Sequence, residues 1–229
     1  THWAFQSVKN PPVPDVVSAL PPSRSSSEES KGSHSSSQHQ LSTNPIDAFV
    51  FQKLAKAGLT PSPESDRRTL IRRLSFTLTG LPPSFAEVEQ FVASSSSDVY
   101  SDLVDRYLSS TQYGEHWARH WLDVARYSDT KGYVYAREER FWVHAWRYRD
   151  WVVDALNEDM AYDRFLLLQL AADQVESKRQ EDLAAMGFLT VGRRFLGVNR
   201  DIIDDRIDVV TRGTLGLTVS CARCHDHKY

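Results

Sequence analysis

Both cysteines of the chain fall in its closing stretch, SCARCHDHKY. Cys221 and Cys224 stand three apart, and His225 follows at once. Cys-x-x-Cys-His is the attachment pattern of c-type haem. The spacing has a mechanical reason: two thiols add across the two vinyl groups of the porphyrin as thioethers, and a two-residue gap spans them in a tight helical turn. The adjacent imidazole of His225 then reaches the iron as its proximal ligand. A sixth ligand is not singled out, because Met160, Met186, His116, His120, His144 and His227 are all chemically able. His227 sits too close to His225 to reach the opposite haem face, and the methionines read more simply as gap-fillers of a core.

The same atoms permit other chemistry. Thiolates at Cys-x-x-Cys spacing with a histidine are good zinc ligands. The side chains of Cys224 and His225 diverge, however, so zinc would need His227 or a remote pair. EHWARH offers such a pair, with His116 and His120 four apart on one helix face. Those two read more simply as surface histidines opposite a tryptophan stripe. A thioredoxin-like dithiol would require a βαβ setting that the chain lacks. An iron–sulfur centre needs four thiolates, and there are two. The remaining possibility is that the two cysteines and the histidine are structural.

Carboxylates form a second group. HWLDVARYSDTKGY carries Asp123 and Asp129 with Arg126, Tyr127 and Lys131. RDIIDDRIDVVTR carries Asp204 and Asp208, four apart and therefore on one helix face just before Cys221. Read functionally, paired carboxylates beside arginine and tryptophan are general acid/base groups or a sugar platform. Read structurally, they are ion pairs that fix helix packing, and this is the commoner role of such spacing.

The elements that must position these groups are helical. At 229 residues, 41% hydrophobic and 25% charged, the chain is an ordinary globular length and composition. A net charge of −3 offers no basic surplus for a nucleic acid, and no apolar run approaches a membrane span. NPIDAFVFQKLAKAGL opens with Asn44 as cap and proline at the first helical position, places Ile46, Phe49, Val50 and Leu54 on one face, and closes at Gly58. SDRRTLIRRLSFTLTG repeats the grammar with Leu70, Ile71, Leu74 and Leu78, ending on Gly80. Ser84 and Glu87 form a capping box, and Val99, Leu103, Val104 and Tyr107 share a face. In the next helix, opened by Gly114, the expected buried stripe is Trp117, Trp121, Val124 and Ala125. In the one after it the expected face is Val143, Trp146, Val152 and Leu156, flanked by Trp142 and Trp151. YDRFLLLQLAADQV is apolar nearly all round, which predicts a central helix.

No period-2 strand or hairpin turn stands out. The expected fold is all-α, a single domain of roughly eight to nine short helices over 44–229. Residues 21–43 are serine-rich and predict a disordered linker. Residues 1–20 predict an extended docking segment. The missing initiator Met and the abrupt end after the motif predict a piece of a longer protein, truncated at its C-terminus.

Several stretches together resemble the planctomycete cytochrome-associated domain. They are NPIDAFVFQKL, RRTLIRRLSFTLTGLPP, YGEHWARHWLDVARYSDTKGY, YRDWVVDALNEDMAYDRFLLLQLAADQ and DDRIDVVTRGTLGLTVSCARCHDHKY. HWAFQSVKNPPVP is similar to the segment that precedes that domain in the family. The resemblance implies a large exported multidomain parent without a known reaction, found in polymer-degrading settings. Its partners would be other domains of the same chain, an unidentified redox protein and a polysaccharide. The family's motif maps onto Cys221, Cys224 and His225, whereas the carboxylates inherit no role. The serine-rich insert is longer than the family's linker. Motif and resemblance together lead to a haem c electron carrier located outside the cytoplasm, periplasmic or secreted. Two alternatives stand beside it: a polysaccharide hydrolase or lyase acting through Asp123, Asp129, Asp204 or Asp208, with zinc or a structural clip at CARCH; and a non-enzymatic scaffold.

Overall fold

A computed structural model describes residues 6–15, 44–131, 140–175, 179–192 and 198–226. The serine-rich segment 21–43 lies outside the described residues. The chain divides into two compact units, Thr1–Ser65 and Asp66–Tyr229, a boundary that falls inside the span 44–229 expected as one domain. In the first unit, residues 6–15 are without helix or strand and almost entirely exposed. Helix α1, Pro45–Lys56, is capped by Asn44, whose side chain accepts from the Ile46 amide at 2.9 Å. Ala48 is buried on it, while Ile46 and Val50 are exposed, so the expected apolar face is only partly covered.

The second unit is helical throughout. It contains α2 (Arg67–Thr79), α3 (Phe85–Ala93), α4 (Val99–Leu108), α5 (Thr111–Val124), α6 (Ala145–Asn157), α7 (Tyr162–Ala171) and α8 (Asn199–Leu215). A 3-10 segment, Gln180–Leu189, precedes α8, and a 3-10 turn, Ser220–Arg223, follows it. Among the described residues there is no strand, only one isolated antiparallel bridge between Thr130 and Phe141. The fold is all-α.

Local chemistry sets most helix ends. Asp66 caps α2 through the Thr69 amide, and Gly80 ends it at φ +71°, a left-handed conformation that suits glycine. Ser84 and Glu87 bond to each other's backbone in the expected capping box at the start of α3. Ile71, Phe91, Leu103 and Tyr107 form a small core, with Leu70, Leu74, Leu78 and Val99 against it.

A larger core lies among α5, α6, α7, α8 and the long 3-10 segment, and here the buried faces differ from expectation. On α5 the stripe is Gly114, Ala118, Trp121 and Ala125, whereas Trp117 and Val124 are exposed. Small residues win because α6 approaches closely: a Cβ on Gly114 would stand 2.5 Å from the Val153 carbonyl oxygen. The Gly114 amide instead donates to Asn157 Oδ1 at 2.8 Å, in the second turn of a helix that begins at Thr111.

On α6 the buried residues are Ala145, Tyr148, Trp151, Val152 and Ala155, with Leu156 packed at the edge. Val143 precedes the helix, and it and Trp146 are 64% and 46% exposed. The rings that go inside are those whose polar tips find partners there. Tyr148 Oη donates to Gln169 Oε1 at 2.8 Å, and Trp151 Nε1 to Asp182 Oδ1 at 3.1 Å. Helix α7 buries one face only. Phe165, Leu168 and Gln169 point inward while Leu167 and Leu170 are 43% and 40% exposed, so it is not the all-round central helix that its composition suggested.

Candidate functional site

Helix α8 ends on Gly216 in the left-handed region, φ +65°, and the Leu217 amide bonds back to the Thr211 carbonyl at 3.1 Å. The chain thereby reverses and brings the CARCH turn back along the helix. Arg223 anchors it there, pairing with Asp201 and, at 3.6 Å, with Asp204 near the start of α8. The Cys224 amide donates to the Cys221 carbonyl at 3.3 Å. Cys221 lies within the 3-10 turn Ser220–Arg223, and Cys224 is the residue that closes it. Both are free and exposed. His225 is exposed as well, with Nδ1 2.9 Å from the Asp226 carbonyl oxygen. If Nδ1 carries the proton, as that contact favours, Nε2 keeps its lone pair for a metal.

The remaining predicted ligands do not join this turn. His227 lies outside the described residues. His116 and His120 face each other on α5, ring centroids 5.9 Å apart, and share an aromatic surface cluster with Trp117. His116 leans on α2, where its Nδ1 would be 2.3 Å from a Cβ at Gly80. Loss of hydration there, followed by the positive charge of Arg119, lowers its pKa from the ordinary value. Met160 and Met186 pack against the large core, as gap-fillers do. His144 is exposed immediately before α6. Among the described residues, no three His, Cys, Asp or Glu side chains are grouped to hold a metal ion.

The four carboxylates occupy separate settings. Asp123 is exposed near the end of α5. Asp129 accepts from Tyr127 Oη at 2.5 Å; burial first, and then this carboxylate, push the phenol's pKa up to about 12. Asp204 belongs to the Arg223 anchor, and Asp208 pairs with Arg212 one turn along α8 at 2.8 Å. A carboxylate not singled out in the sequence makes a two-bond pair: Asp205 accepts from Arg126 at 2.5 and 3.1 Å, linking α8 to the end of α5.

Sequence reasoning also missed a cleft of about 990 Å³ between the start of α6 and the long 3-10 segment. Tyr148 and Trp151 line it, Trp142 and Trp146 stand beside them, and neither cysteine takes part. Trp142 and Trp146 were the available signal, but placing Trp146 on the buried face hid it.

A family model described as a protein of unknown function (DUF1549), named PSCyt2, matches residues 45–229. The chain belongs to the PSCyt2 family. The match begins at the first residue of α1 and takes in every α-helix, the cleft and the CARCH turn. Family membership brings no reaction with it. No curated protein and no solved structure matches this PSCyt2 chain. No helix among its described residues is long and apolar enough to cross a membrane.

Proposed function

We propose that this PSCyt2 domain attaches one haem c through Cys221 and Cys224, with His225 as the proximal iron ligand, and passes electrons. The observation that carries the reading is the turn itself: two free, exposed thiols three apart, one within the 3-10 turn and one closing it, followed at once by a histidine. Haem bound there would supply a one-electron iron couple, while the protein tunes its potential. The chain's own residues do the holding. Arg223, paired with Asp201 and Asp204, pins the turn to α8, and the Asp226 carbonyl orients His225 toward the Nδ1-protonated tautomer.

Zinc is less well served by the same residues. It asks for four converging ligands, and among the described residues not even three are grouped. A thioether pair asks only for the two thiols. The hydrolytic alternative gains no geometry either, because Asp123, Asp129, Asp204 and Asp208 sit in different surroundings.

Haem c is attached outside the cytoplasm, so the reading carries with it an exported, planctomycete-type parent whose other domains or a separate redox protein exchange the electron. The test is the intact mass and visible spectrum of the natively exported parent protein. A mass increase of one haem that survives acid extraction, and that is lost in Cys221→Ser/Cys224→Ser, is the expected result. Both sulfurs free, or colourless protein with stoichiometric zinc, overturns it.

A further inference from the structure

We propose that the cleft between α6 and the 3-10 segment Gln180–Leu189 is a binding site for a neutral oligosaccharide. The inference is independent of the haem reading, since the cleft shares no residue with the CARCH turn. Its volume, about 990 Å³, lies at the upper end for small-ligand sites and holds several sugar rings.

The lining selects the ligand's chemistry. Its floor is formed by Tyr148 and Trp151, both almost wholly buried and both locked by hydrogen bonds from their polar tips. The 3-10 segment closes tightly on that floor, for a Cβ on Gly187 would stand 2.5 Å from Tyr148 Cβ. Trp142 and Trp146 add two more flat rings, each fixed by a cation: Lys131 lies 5.1 Å from the Trp142 ring centroid and Arg147 5.4 Å from that of Trp146. Trp142 and Trp146, the two rings that stand clear of this buried floor, suit a ligand with planar apolar faces better than one with aliphatic knobs.

The charged groups narrow the choice further. Arg147, Asp150 and Asp154 project from one face of α6, and Arg179 and Glu181 come from the opposite wall. Asp150 already pairs with Arg149 at 2.8 Å and Arg179 with Glu158 at 2.5 Å, so the cleft presents a mixed field that favours neither a strongly anionic ligand nor a cation. What satisfies both kinds of group is a hydroxyl, which donates to a carboxylate and accepts from an arginine. A pyranose joins such hydroxyls to apolar C–H faces.

The full chain, with far-UV circular dichroism to verify folding, can be screened on a glycan array of neutral gluco-, manno-, galacto- and xylo-oligosaccharides. The tightest hexasaccharide is then titrated by calorimetry into wild type, Trp146→Ala and Asp154→Ala. Both changes are at exposed positions and leave the core intact. Saturable binding that weakens about tenfold in Trp146→Ala, as expected for one lost aromatic platform, together with a weaker loss in Asp154→Ala, is the predicted result. A blank array overturns the proposal, as does binding that Trp146→Ala leaves unchanged. Selection of peptides whose binding Trp146→Ala abolishes, with no glycan bound, would instead make the cleft a protein-docking groove and equally refute it.

Discussion

Arg126 occupies backbone that side chains other than glycine seldom adopt, φ +59°, at the end of α5. That conformation costs about 1–2 kcal/mol, and the guanidinium explains why it is kept. From there it reaches Asp205 on α8 with two hydrogen bonds, and it leans on Gly192, where a Cβ would stand 2.6 Å from Nη2. Both partners of the pair are mostly withdrawn from water, at 28% and 13% exposure, so screening by solvent is limited. Removing the carboxylate strands a cation whose Nε has no partner among the described residues and leaves the strain in place. Asp205→Ala is therefore expected to lower unfolding free energy by about 2 kcal/mol. Arg126→Gly should cost less, because it releases the strain as it breaks the pair. Urea denaturation of both variants checks the order, and the reverse order would mean that the strained backbone is held by something other than Asp205.

At the scale of elements, several helix ends and the faces of α2 and α4 were legible, whereas the start of α5 and the faces of α5 and α6 were not. Asn44, Gly80 and Ser84 act within a turn of their own sequence, so the sequence alone locates the start of α1, the end of α2 and the start of α3. Which side of α5 or α6 goes inside depends on the neighbour. Gly114 and Ala118 are buried because α6 comes close, and Trp146 stays outside because the buried rings, Tyr148 and Trp151, have partners on α7 and the 3-10 segment. No periodicity within one helix contains that information. The CARCH turn is a middle case. Its spacing foretold a tight turn, but the anchor at Arg223 joins residues 22 apart in the chain. That anchor is exposed, and exposed ion pairs contribute little to global stability. Its expected effect is local. In Arg223→Ala the amides of Cys221 to Cys224 should exchange with deuterium several-fold faster while the denaturation midpoint stays within error. Unchanged exchange would show that the Gly216 reversal alone holds the turn.

Across the second unit, two hydrophobic clusters share one bridging helix. The small cluster around Ile71, Phe91, Leu103 and Tyr107 belongs to α2, α3 and α4; the large one, with Phe188 and Leu168, belongs to α5 through α8. Helix α5 meets both, with His116 seated on Gly80 of α2 and Gly114 pressed onto α6. Such close contacts leave little freedom for one cluster to melt while the other stays folded. Phe188, fully buried and stacked on Trp121 at 5.6 Å, should cost about 3–5 kcal/mol as Phe188→Ala. Ile71→Ala, also fully buried, should cost about 2–5 kcal/mol. The two probes are unequal by construction, which makes the comparison decisive. Trp121 and Trp151 report from the large cluster, whereas far-UV circular dichroism reports every helix. If α5 couples the clusters, fluorescence and dichroism will trace one coincident transition in both variants, shifted to lower denaturant. An early dichroism phase in Ile71→Ala, with tryptophan fluorescence still native, would show that α2, α3 and α4 unfold on their own and that α5 belongs to the large cluster alone.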